Sequence, residues 1–477
     1  MAANSGSIDL VSSDIARHPC CSHGPTLLFE RFDQSRGKSR QFYACSAFRD
    51  RKACSFFQWA DTDMVADEAA TDTCSVKTAH WQSRKRYHRF RKLPRKDRHV
   101  CCTCGLLLLD DELSLHESQG HVVKKKVGLK QLRQSSAMFS PLDDNKTFAQ
   151  YLFSKKSVDF VLETLDQLGF SHVLCVGTPR VHEAIQCNQK RGNLSLKSML
   201  LDLDDRYGQI YPPSKFAKYN MFNHHFFEED GLKMTSEFLC QGKDKIVLIT
   251  DPPFGGMVDA LAAAFQKLSD MWREKTLQSS ESTPSSIDGK CMPIIWFFPY
   301  FMENRIVSQL PGMVMLDYKV DYENHALYKN DLKQKGSPVR IFTNIPQAMF
   351  VLPAEEGYWY CSKCNRYSSK ENWHCSDCGA CTSKDGTTYV HCDACLRCVK
   401  PSRVHCYTCQ ICDLKDHVCG KKHMFGCHIC GDLSHKRRDC PQKTDKGGFQ
   451  RGGKISCKRK FHSSGKVKEK AKKTKIV

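Results

Sequence analysis

Between residues 138 and 353, short apolar runs alternate with stretches of helical periodicity. Five of the runs have the length and β-branched content of buried strands. They lie at residues 171–176, 198–203, 219–223, 245–250 and 293–298. Residues 148–168 and 255–272 repeat apolar positions at helical spacing, and residues 313–318 with 339–344 can add a closing pair of strands. This alternation predicts an α/β domain with a mainly parallel sheet, whose functional residues collect at the carboxyl ends of the strands.

The fourth predicted strand ends at a conspicuous loop, Asp251-Pro252-Pro253-Phe254. Proline has a fixed φ and no N–H, so this loop is stiff and its carbonyl groups can point at a ligand. A carboxylate oxygen and a proline carbonyl could together accept both protons of an exocyclic amine. Phe254 could then offer a flat face to a base extruded from its stack. The alternative is an ordinary strand followed by a proline-rich turn.

The loop resembles the (D/N)PP(F/Y/W) motif of the S-adenosylmethionine-dependent N6-adenine methyltransferases. The resemblance implies a Rossmann-like class I methyltransferase domain over residues 138–353, with Asp251, Pro252, Pro253 and Phe254 as catalytic residues. It also implies a cofactor loop after the first strand and an acid after the second that accepts from ribose hydroxyls. Asp202 or Asp204 could supply that acid, and Asn223 is either a contact to the cofactor's adenine or a surface residue. The expected cofactor-binding residues are Cys175, Val176, Gly177, Thr178, Pro179, Asp202, Asp204, Asn223 and Asp251.

Charge and cysteine content indicate the type of binding partner and the redox compartment of the protein. The chain has 72 Lys and Arg against 52 Asp and Glu, a formal charge of +20, which favours a polyanionic partner such as RNA. Most of its 28 cysteines fall in Cys-x2-Cys or His-Cys pairs and no secretory signal is recognisable, so zinc in a reducing compartment is expected rather than disulfides. No run approaches the roughly 18 apolar residues of a transmembrane helix, and we expect a soluble protein without a membrane partner.

Two zinc modules are predicted before the central domain. Residues 15–62 resemble a GRF-type zinc finger, which implies contact with single-stranded nucleic acid, although its aromatic residues could equally form a small core. Its expected ligands are Cys21, His23, Cys45 and Cys54, with Cys20 as a rival to Cys21. Residues 99–125 fit a two-Cys two-His finger whose histidines share one face of a short helix. Its expected ligands are Cys101, Cys104, His116 and His121.

The segment between these modules, residues 63–98, is basic. From Gln82 to Arg98 it has nine basic residues and one acidic residue, interleaved with aromatic ones. Such a segment is either a solvated linker or an arm that binds RNA.

After residue 358 the composition changes to a cysteine and histidine array that extends to residue 425. Twelve cysteines and five histidines could bind about three zinc ions, which must supply most of the folding free energy because little apolar sequence lies between them. The spacing leaves the pairing of ligands open. Part of the array resembles the cysteine-rich domain of DHHC protein acyltransferases, but Val418 replaces the second histidine and that family's membrane spans are missing. The expected ligands are Cys361, Cys364, His374, Cys375, Cys378, Cys381, His391, Cys392, Cys395, Cys398, His405, Cys406, Cys409, Cys412, His417, Cys419 and His423.

Two short elements follow the array. Residues 426–442 form a complete CCHC zinc knuckle, a module that binds single-stranded RNA, with ligands Cys427, Cys430, His435 and Cys440. The tail, residues 443–477, has thirteen basic residues and two acidic ones. It is predicted to be disordered and suits retention on RNA in the nucleus or nucleolus.

This order of modules resembles the zinc-finger CCHC-domain rRNA N6-adenosine methyltransferases over nearly the whole chain. The resemblance implies methylation of one adenosine in large-subunit rRNA with S-adenosylmethionine, several zinc ions, and a role in translation capacity. We expect a monomer in the nucleus and nucleolus, with the cytoplasm as a second compartment and ribosome-biogenesis or RNA-processing proteins as further partners. Two alternatives stay open: a non-enzymatic RNA-binding scaffold with a decayed Rossmann domain, and a DNA adenine-N6 methyltransferase.

Overall fold

The computed structural model describes residues 8–11, 15–33, 38–48, 50–61, 79–109, 112–139, 141, 150–189, 195–279, 291–324 and 337–419. The chain divides into two compact units, residues 1–405 and 406–477. In the second unit only residues 406–419 are described, so His423, the predicted zinc knuckle and the basic tail lie outside the described residues. Within the described ranges, no helix combines the length and the apolar character needed to cross a bilayer.

The N-terminal modules are small sheets with short helices. The strands of the first module are β1 (Ile8–Leu10), β2 (Cys20–Cys21), β3 (Gly24–Pro25), β4 (Leu27–Asp33), β5 (Lys38–Ala44) and β6 (Phe57–Trp59). Helix α1 (Ala79–Lys92) then precedes the second module, which contains β7 (His99–Cys101), β8 (Leu106–Leu108), α2 (Glu112–Ser118) and β9 (Val123–Lys124), and α3 (Ser135–Met138) follows this module.

The central domain alternates helices and strands, as the hydrophobic pattern predicts. Its elements are α4 (Lys155–Gln167), β10 (His172–Val176), α5 (Pro179–Gln189), β11 (Lys197–Asp202), β12 (Phe216–Asn220), β13 (His225–Phe226), α6 (Glu229–Gly242), β14 (Ile246–Thr250), α7 (Val258–Ser279), β15 (Ile294–Pro299), α8 (Glu303–Gln309), β16 (Val314–Leu316) and β17 (Val339–Thr343). The 3₁₀ helices in the described ranges, some of them within the central domain, are Ile15–Arg17, Arg95–Asp97, Gln131–Arg133, Asp205–Gln209, Lys243–Lys245, Tyr300–Met302, Gln347–Met349 and Ala354–Glu356.

Eight strands of this domain form one sheet in the order β13-β12-β11-β10-β14-β15-β17-β16. The five strands β12, β11, β10, β14 and β15 are parallel, whereas β13 and β17 run antiparallel to their neighbours. The predicted α/β fold with a Rossmann-like sheet is thereby confirmed. Because β10 lies between β11 and β14, the loops that follow these three strands emerge side by side at one edge of the sheet.

Each face of the sheet carries its own hydrophobic cluster, and β14 shows how the sequence builds both. Val247 and Ile249 point into one cluster, while Ile246 and Leu248 point into the other, as the two-residue period of a strand requires. Apolar residues of the second N-terminal module join the first cluster, and those of the first module join the second. The two fingers therefore join the apolar clusters on opposite faces of the central sheet.

Three predicted elements differ in position from the observed ones, one of them being the helix predicted at 255–272, which is observed as α7 and extends to Ser279. The third strand lies at Phe216–Asn220 rather than at 219–223. The sequence pattern did not reveal this strand, because the charged Lys218 interrupts its apolar residues. In the structure, Lys218 is accommodated in the strand by an ion pair with Asp205 at 3.2 Å. The predicted helix at 148–168 begins only at Lys155, where the Ser154 hydroxyl accepts a hydrogen bond from the Ser157 N–H at 3.2 Å as an N-cap.

The segment predicted as a basic linker contains α1, which packs as part of the core. Tyr87 and Phe90 are buried in the first cluster. Arg86 donates to both carboxylate oxygens of Glu112, and Arg84 donates to the Ile210 carbonyl at 2.6 Å. A purely solvated linker is therefore excluded for residues 79–92, although Lys85, Arg89, Arg91 and Lys92 remain exposed and leave a basic outer face.

The C-terminal array consists of β-hairpins. The strands are β18 (Tyr358–Cys361), β19 (Arg366–Ser369), β20 (His374–Cys375), β21 (Ala380–Cys381), β22 (Val390–Cys392), β23 (Arg397–Val399), β24 (Arg403–Cys406) and β25 (Ile411–Leu414). In the first unit β18 pairs with β19, β20 with β21, and β22 with β23. Asp317 accepts hydrogen bonds from the Asn372 amide at 2.6 Å and the Ser369 N–H at 3.0 Å, which joins the start of the array to the central domain.

Phe90 tests whether α1 is a docked helix. We expect Phe90→Ala to lower the free energy of unfolding by about 3–5 kcal/mol, because a fully buried ring is removed. Lys96→Ala, at an exposed position close to α1, should change it by less than about 0.5 kcal/mol. Chemical denaturation followed by tryptophan fluorescence measures both variants. Equal stabilities would show that α1 does not pack on the core.

Candidate functional site

A cavity of about 340 Å³ lies at the carboxyl ends of β10, β11, β12 and β14. It is lined by Ala47, Phe48, Ala53, Gln150, Tyr151, Leu152, Gly177, Pro179, Asp202, Leu203, Asp204, Tyr219, Asn220, Met221, Phe222, Asp251, Pro252, Pro253 and Phe254. The structure thus brings the predicted catalytic loop and five of the predicted cofactor-binding residues to one cavity. This is the edge at which parallel α/β sheets bind their ligands.

Gly177 follows β10 in a backbone conformation that favours glycine. Its φ is +65°, and a Cβ added there would lie 2.6 Å from Met221 Cε. The Gly177 N–H donates to the Leu201 carbonyl at 2.9 Å, so the neighbouring strand holds the turn in place. A single glycine is sufficient here, because the following Thr178 and Pro179 already continue toward α5.

The two candidate ribose acids differ in their surroundings. The carboxylate of Asp204 already has partners within the protein: Arg206 Nη2 donates to its Oδ2 at 2.6 Å, and Gln150 donates to the same oxygen at 3.0 Å. Asp202 ends β11 and accepts the Asp204 N–H at 2.9 Å. Burial, with a further contribution from the nearby Asp204 charge, raises the pKa of Asp202 to about 7. The geometry therefore favours Asp202 over Asp204 as the group that a ligand's hydroxyls can reach.

Four predicted cofactor residues do not line the cavity. Cys175 and Val176 are fully buried inside β10, and the buried Thr178 hydroxyl donates to the Ile249 carbonyl at 3.4 Å. Asn223 departs further from its prediction, because its amide donates to the Pro25 carbonyl of the first finger at 2.7 Å. From this loop, Asn220, Met221 and Phe222 face the cavity instead.

Asp251 directly follows β14, and its carboxylate is held by a residue distant in sequence. The Tyr322 hydroxyl donates to Asp251 Oδ1 at 3.0 Å. Burial raises the pKa of Asp251 well above its ordinary value, and the hydrogen bond from Tyr322 opposes this shift. The Pro253 carbonyl accepts the Gly256 N–H at 2.7 Å, which closes the turn of the proline loop.

Aromatic rings form one wall of the cavity beside Asp251. Phe254 stacks on Tyr151 with centroids 5.4 Å apart and planes inclined by 30°. Tyr322 meets the two rings edge-on at 5.9 and 6.0 Å. Sequence reasoning missed Tyr151 and Tyr322 because they lie outside any motif. One local sequence signal was available: Ser154, as the N-cap of α4, marks the start of this helix and leaves Tyr151 in the non-helical segment before it.

The first two zinc modules bring their predicted ligands together. Cys21, His23, Cys45 and Cys54 form one set, and Cys101, Cys104, His116 and His121 form another. Within each set the donor atoms lie within 4.8 Å of one another, as four ligands around a tetrahedral zinc do. The first set contains Cys21 and not its rival Cys20. The expectation that both histidines of the second module share a helix face was wrong, since α2 ends at Ser118 and His121 follows it.

The array resolves the ligand pairing that spacing left open. One set comprises Cys361, Cys364, His374 and Cys381, and the next comprises Cys375, Cys378, His391 and Cys398. Each His-Cys-x2-Cys-x2-Cys unit therefore divides its ligands: the histidine and last cysteine complete one set, and the central pair begins the next. Cys392, Cys395 and His405 continue this order as a third set. The hairpins β20–β21 and β22–β23 are thus each held between two successive zinc sites.

The second unit contains further donor atoms at zinc-binding distances. Cys406 Sγ lies 3.6 Å from Cys419 Sγ, and His417 Nε2 lies 3.5 Å from both Cys409 Sγ and Cys419 Sγ. Cys412 is buried in the same unit. The described part of the array therefore offers four groups of Cys and His donors, one more than the predicted three.

Comparison with known proteins agrees with this arrangement. The family described as "Probable N6-adenine methyltransferase" matches residues 144–345, and the GRF zinc finger matches residues 19–63. The rRNA N(6)-adenosine-methyltransferase ZCCHC4 of Homo sapiens is 47% identical to this chain, over 94% of the chain and 87% of the human protein. The Mus musculus and Bos taurus proteins of the same name are 48% and 50% identical, each over 91% of this chain and 84% of its own length. At these identities and coverages, the chain belongs to the ZCCHC4 family of rRNA N(6)-adenosine methyltransferases.

Proposed function

We propose that this protein transfers a methyl group from S-adenosylmethionine to N6 of one adenosine in large-subunit ribosomal RNA. The observation that carries the proposal is that Asp251-Pro252-Pro253-Phe254 opens into the same cavity as Gly177 and Asp202. A group that can hold an amine and a surface that can hold a nucleoside cofactor thereby face each other. The name of the curated relatives supplies ribosomal RNA as the substrate class.

The residues around Gly177 and Asp202 fit S-adenosylmethionine. Only a residue without a side chain lets the backbone approach a ligand at the Gly177 turn. Asp202 offers a carboxylate to ribose hydroxyls, and the apolar Met221 and Phe222 line the cavity, where they suit an adenine ring. When bound, S-adenosylmethionine supplies a methyl group on a positively charged sulfur.

The proline loop holds the target amine. Asp251 accepts one N–H of the adenine N6, and Tyr322 fixes the carboxylate in the required rotamer. Since the Pro253 carbonyl is used by Gly256, we assign the second N–H to the Pro252 carbonyl. With both protons held, the nitrogen lone pair points at the methyl group. The protein acts mainly by orientation and exclusion of water. As the neutral thioether leaves as S-adenosylhomocysteine, N6 becomes positively charged, and the Asp251 carboxylate, whose pKa burial raises well above its ordinary value, accepts the proton that N6 releases. No stronger general base is needed.

The adenine ring itself needs a flat partner outside the RNA stack. Phe254 and Tyr151 already form a stacked pair at the cavity wall, and both are only partly buried. An extruded base can extend this stack, which supplies about 1–3 kcal/mol per stacked base. Both rings line the same cavity as Asp251, so stacking and amine binding act on the same base.

The substrate is proposed to be RNA rather than DNA. A net charge of +20 and the exposed basic face of α1 supply phosphate contacts, and the CCHC motif at 427–440 is typical of proteins that bind single-stranded RNA. A decayed, non-enzymatic domain is disfavoured because Gly177 has a left-handed backbone and the cavity is lined by the full Asp-Pro-Pro-Phe loop. Methyl transfer to ribosomal RNA and to duplex DNA of equal length distinguishes the two substrates.

We propose that the protein acts as a monomer in the nucleus and nucleolus, where large-subunit RNA is made, with the cytoplasm as a second location. The basic composition of residues 443–477 supports this location through retention on RNA. Ribosome-biogenesis or RNA-processing proteins are proposed as further partners, and the methylation is proposed to support translation.

Substitutions at Asp251 test the amine-binding role. We expect Asp251→Ala to lower single-turnover methyl transfer about 10²- to 10³-fold, the usual effect of removing one transition-state hydrogen bond. Asp251→Asn should retain part of the activity, because its amide oxygen still accepts from N6. Calorimetry should show near-normal S-adenosylmethionine affinity in both variants, because Gly177 and Asp202 supply the main contacts to the cofactor. Undiminished turnover of the alanine variant would remove Asp251 from the mechanism.

Phe254 separates a stacking role from a packing role. If it stacks on adenine, Phe254→Ala should lose about 1–3 kcal/mol of base binding, whereas Phe254→Tyr and Phe254→Trp keep a π face and most activity. If it only packs, the alanine variant should instead lose about 3–5 kcal/mol of stability. Melting temperature and single-turnover methylation are measured on all three variants. Activity that falls only in step with lost folding argues against stacking.

The raised pKa of Asp202 predicts a pH dependence of cofactor binding. The ionised carboxylate is the stronger acceptor for ribose hydroxyls, so affinity should rise as pH increases through about 7. Between pH 6 and pH 8 we expect a gain of up to about tenfold. Asp202→Asn cannot ionise and should bind weakly with a flat profile. Titration calorimetry across this pH range measures the cofactor affinity of the wild type and of Asp202→Asn. An equal pH dependence in the two proteins would contradict the role of Asp202 in binding the ribose hydroxyls.

A further inference from the structure

The first finger contributes to the cavity itself. Ala47, Phe48 and Ala53 line it together with Gly177 and Asp202. All three belong to the loop between Cys45 and Cys54, two of the four zinc-binding candidates of the finger. The ligand-binding wall on this side is therefore built by a zinc module and not by the methyltransferase sheet.

Phe48 is positioned by the predicted zinc ligands. Its backbone N–H donates to Cys45 Sγ at 3.3 Å, and its ring contacts the His23 ring with centroids 4.5 Å apart and planes inclined by 58°. A thiolate that binds zinc accepts such N–H donors. The place of Phe48 in the cavity thus depends on two zinc ligands being held in their positions.

Two buried asparagines fasten the finger to the end of β12. The Asn220 amide donates at 2.8 Å to both the His23 carbonyl and the Ser46 hydroxyl. The Asn223 amide donates to the Pro25 carbonyl at 2.7 Å. Because buried polar groups are costly to leave unpaired, these bonds favour a single docked position of the finger.

The finger and the central domain lie so close together at Gly24 that there is no room for a side chain at this position. Gly24 has a φ of +89°, and a Cβ built on it would lie 2.4 Å from His225 Cδ2. His23, a zinc-ligand candidate, is the residue before Gly24 and provides the carbonyl that Asn220 binds. The zinc site, the docking bonds and the cavity wall are thus contiguous.

We propose that the GRF finger is a structural part of the cofactor site: its zinc holds the loop from Cys45 to Cys54, and Phe48 in that loop contacts the bound cofactor. This inference rests on S-adenosylmethionine being the cofactor of the cavity, as proposed above. The finger then has a role in cofactor affinity that is separate from any contact with RNA. Phe48 lines the cavity together with Gly177 and Asp202 and supplies an apolar, planar surface to the nucleoside.

Calorimetric titration of the full-length protein with S-adenosylhomocysteine, without RNA, tests this role. We expect Phe48→Ala to weaken binding about tenfold, from the loss of one aromatic contact. Arg51→Ala is the matched control in the same loop, because its exposed guanidinium lies 4.1 Å from the Phe57 ring and does not line the cavity. Its affinity should equal that of the wild type.

Loss of zinc is tested with a second pair of variants. Cys54→Ser should lower the zinc content, measured by mass spectrometry, and weaken S-adenosylhomocysteine binding at least as much as Phe48→Ala. Cys378→Ser removes a ligand from the array and should lower the zinc content while leaving cofactor affinity unchanged.

The outcomes distinguish this inference from the assignment it rests on. A wild-type protein that does not bind S-adenosylhomocysteine would overturn both. If the wild type binds and both Phe48→Ala and Cys54→Ser bind equally well, the cofactor assignment stands and the role of the finger is rejected. Weakened binding in all four variants would likewise reject a specific role for this finger.

Discussion

The parallel pairing of β10 with β14 is the constraint on which the site depends. Its register sets Val176 opposite Thr250, so Gly177 and Asp251 are the first residues beyond two adjacent strand ends. A Cβ at Gly177 would lie 3.6 Å from the Asp251 carbonyl oxygen. A slip of one residue would turn every side chain of β14 to the opposite face. The apolar residues on both faces of β14 thus hold the cofactor loop against the amine-binding loop.

The zinc modules extend this rigid centre in different ways. The two N-terminal fingers contribute apolar residues to opposite faces of the sheet and so share its core. The array has little core of its own, and its hairpins β20–β21 and β22–β23 are each held between successive sets of ligands. Metal binding then supplies most of its folding free energy. Hydrogen bonds from Ser369 and Asn372 to the buried Asp317 connect the start of the array to the central domain.

Local sequence patterns predicted the features that local chemistry determines. Strands, the turn at Gly177 and the acid that ends β11 follow from hydrophobic period and residue type. The residues that were missed, such as Tyr151 and Phe48, reach the cavity only through long-range packing, and Tyr322 reaches Asp251 in the same way. Lys218 concealed β12 because its charge is compensated by Asp205, a partner that spacing does not reveal. The role of Asn223 was also predicted wrongly, because its hydrogen bond to the Pro25 carbonyl depends on how the first finger packs on the central domain.

The central claim is that cofactor and target amine meet between Gly177, Asp202 and Asp251. A crystal structure of the full chain with S-adenosylhomocysteine tests it most directly. We expect the sulfur to lie between the Gly177 turn and Asp251, and the ribose hydroxyls to donate to Asp202. A ligand bound outside this cavity, or with its sulfur directed away from Asp251, would contradict the account.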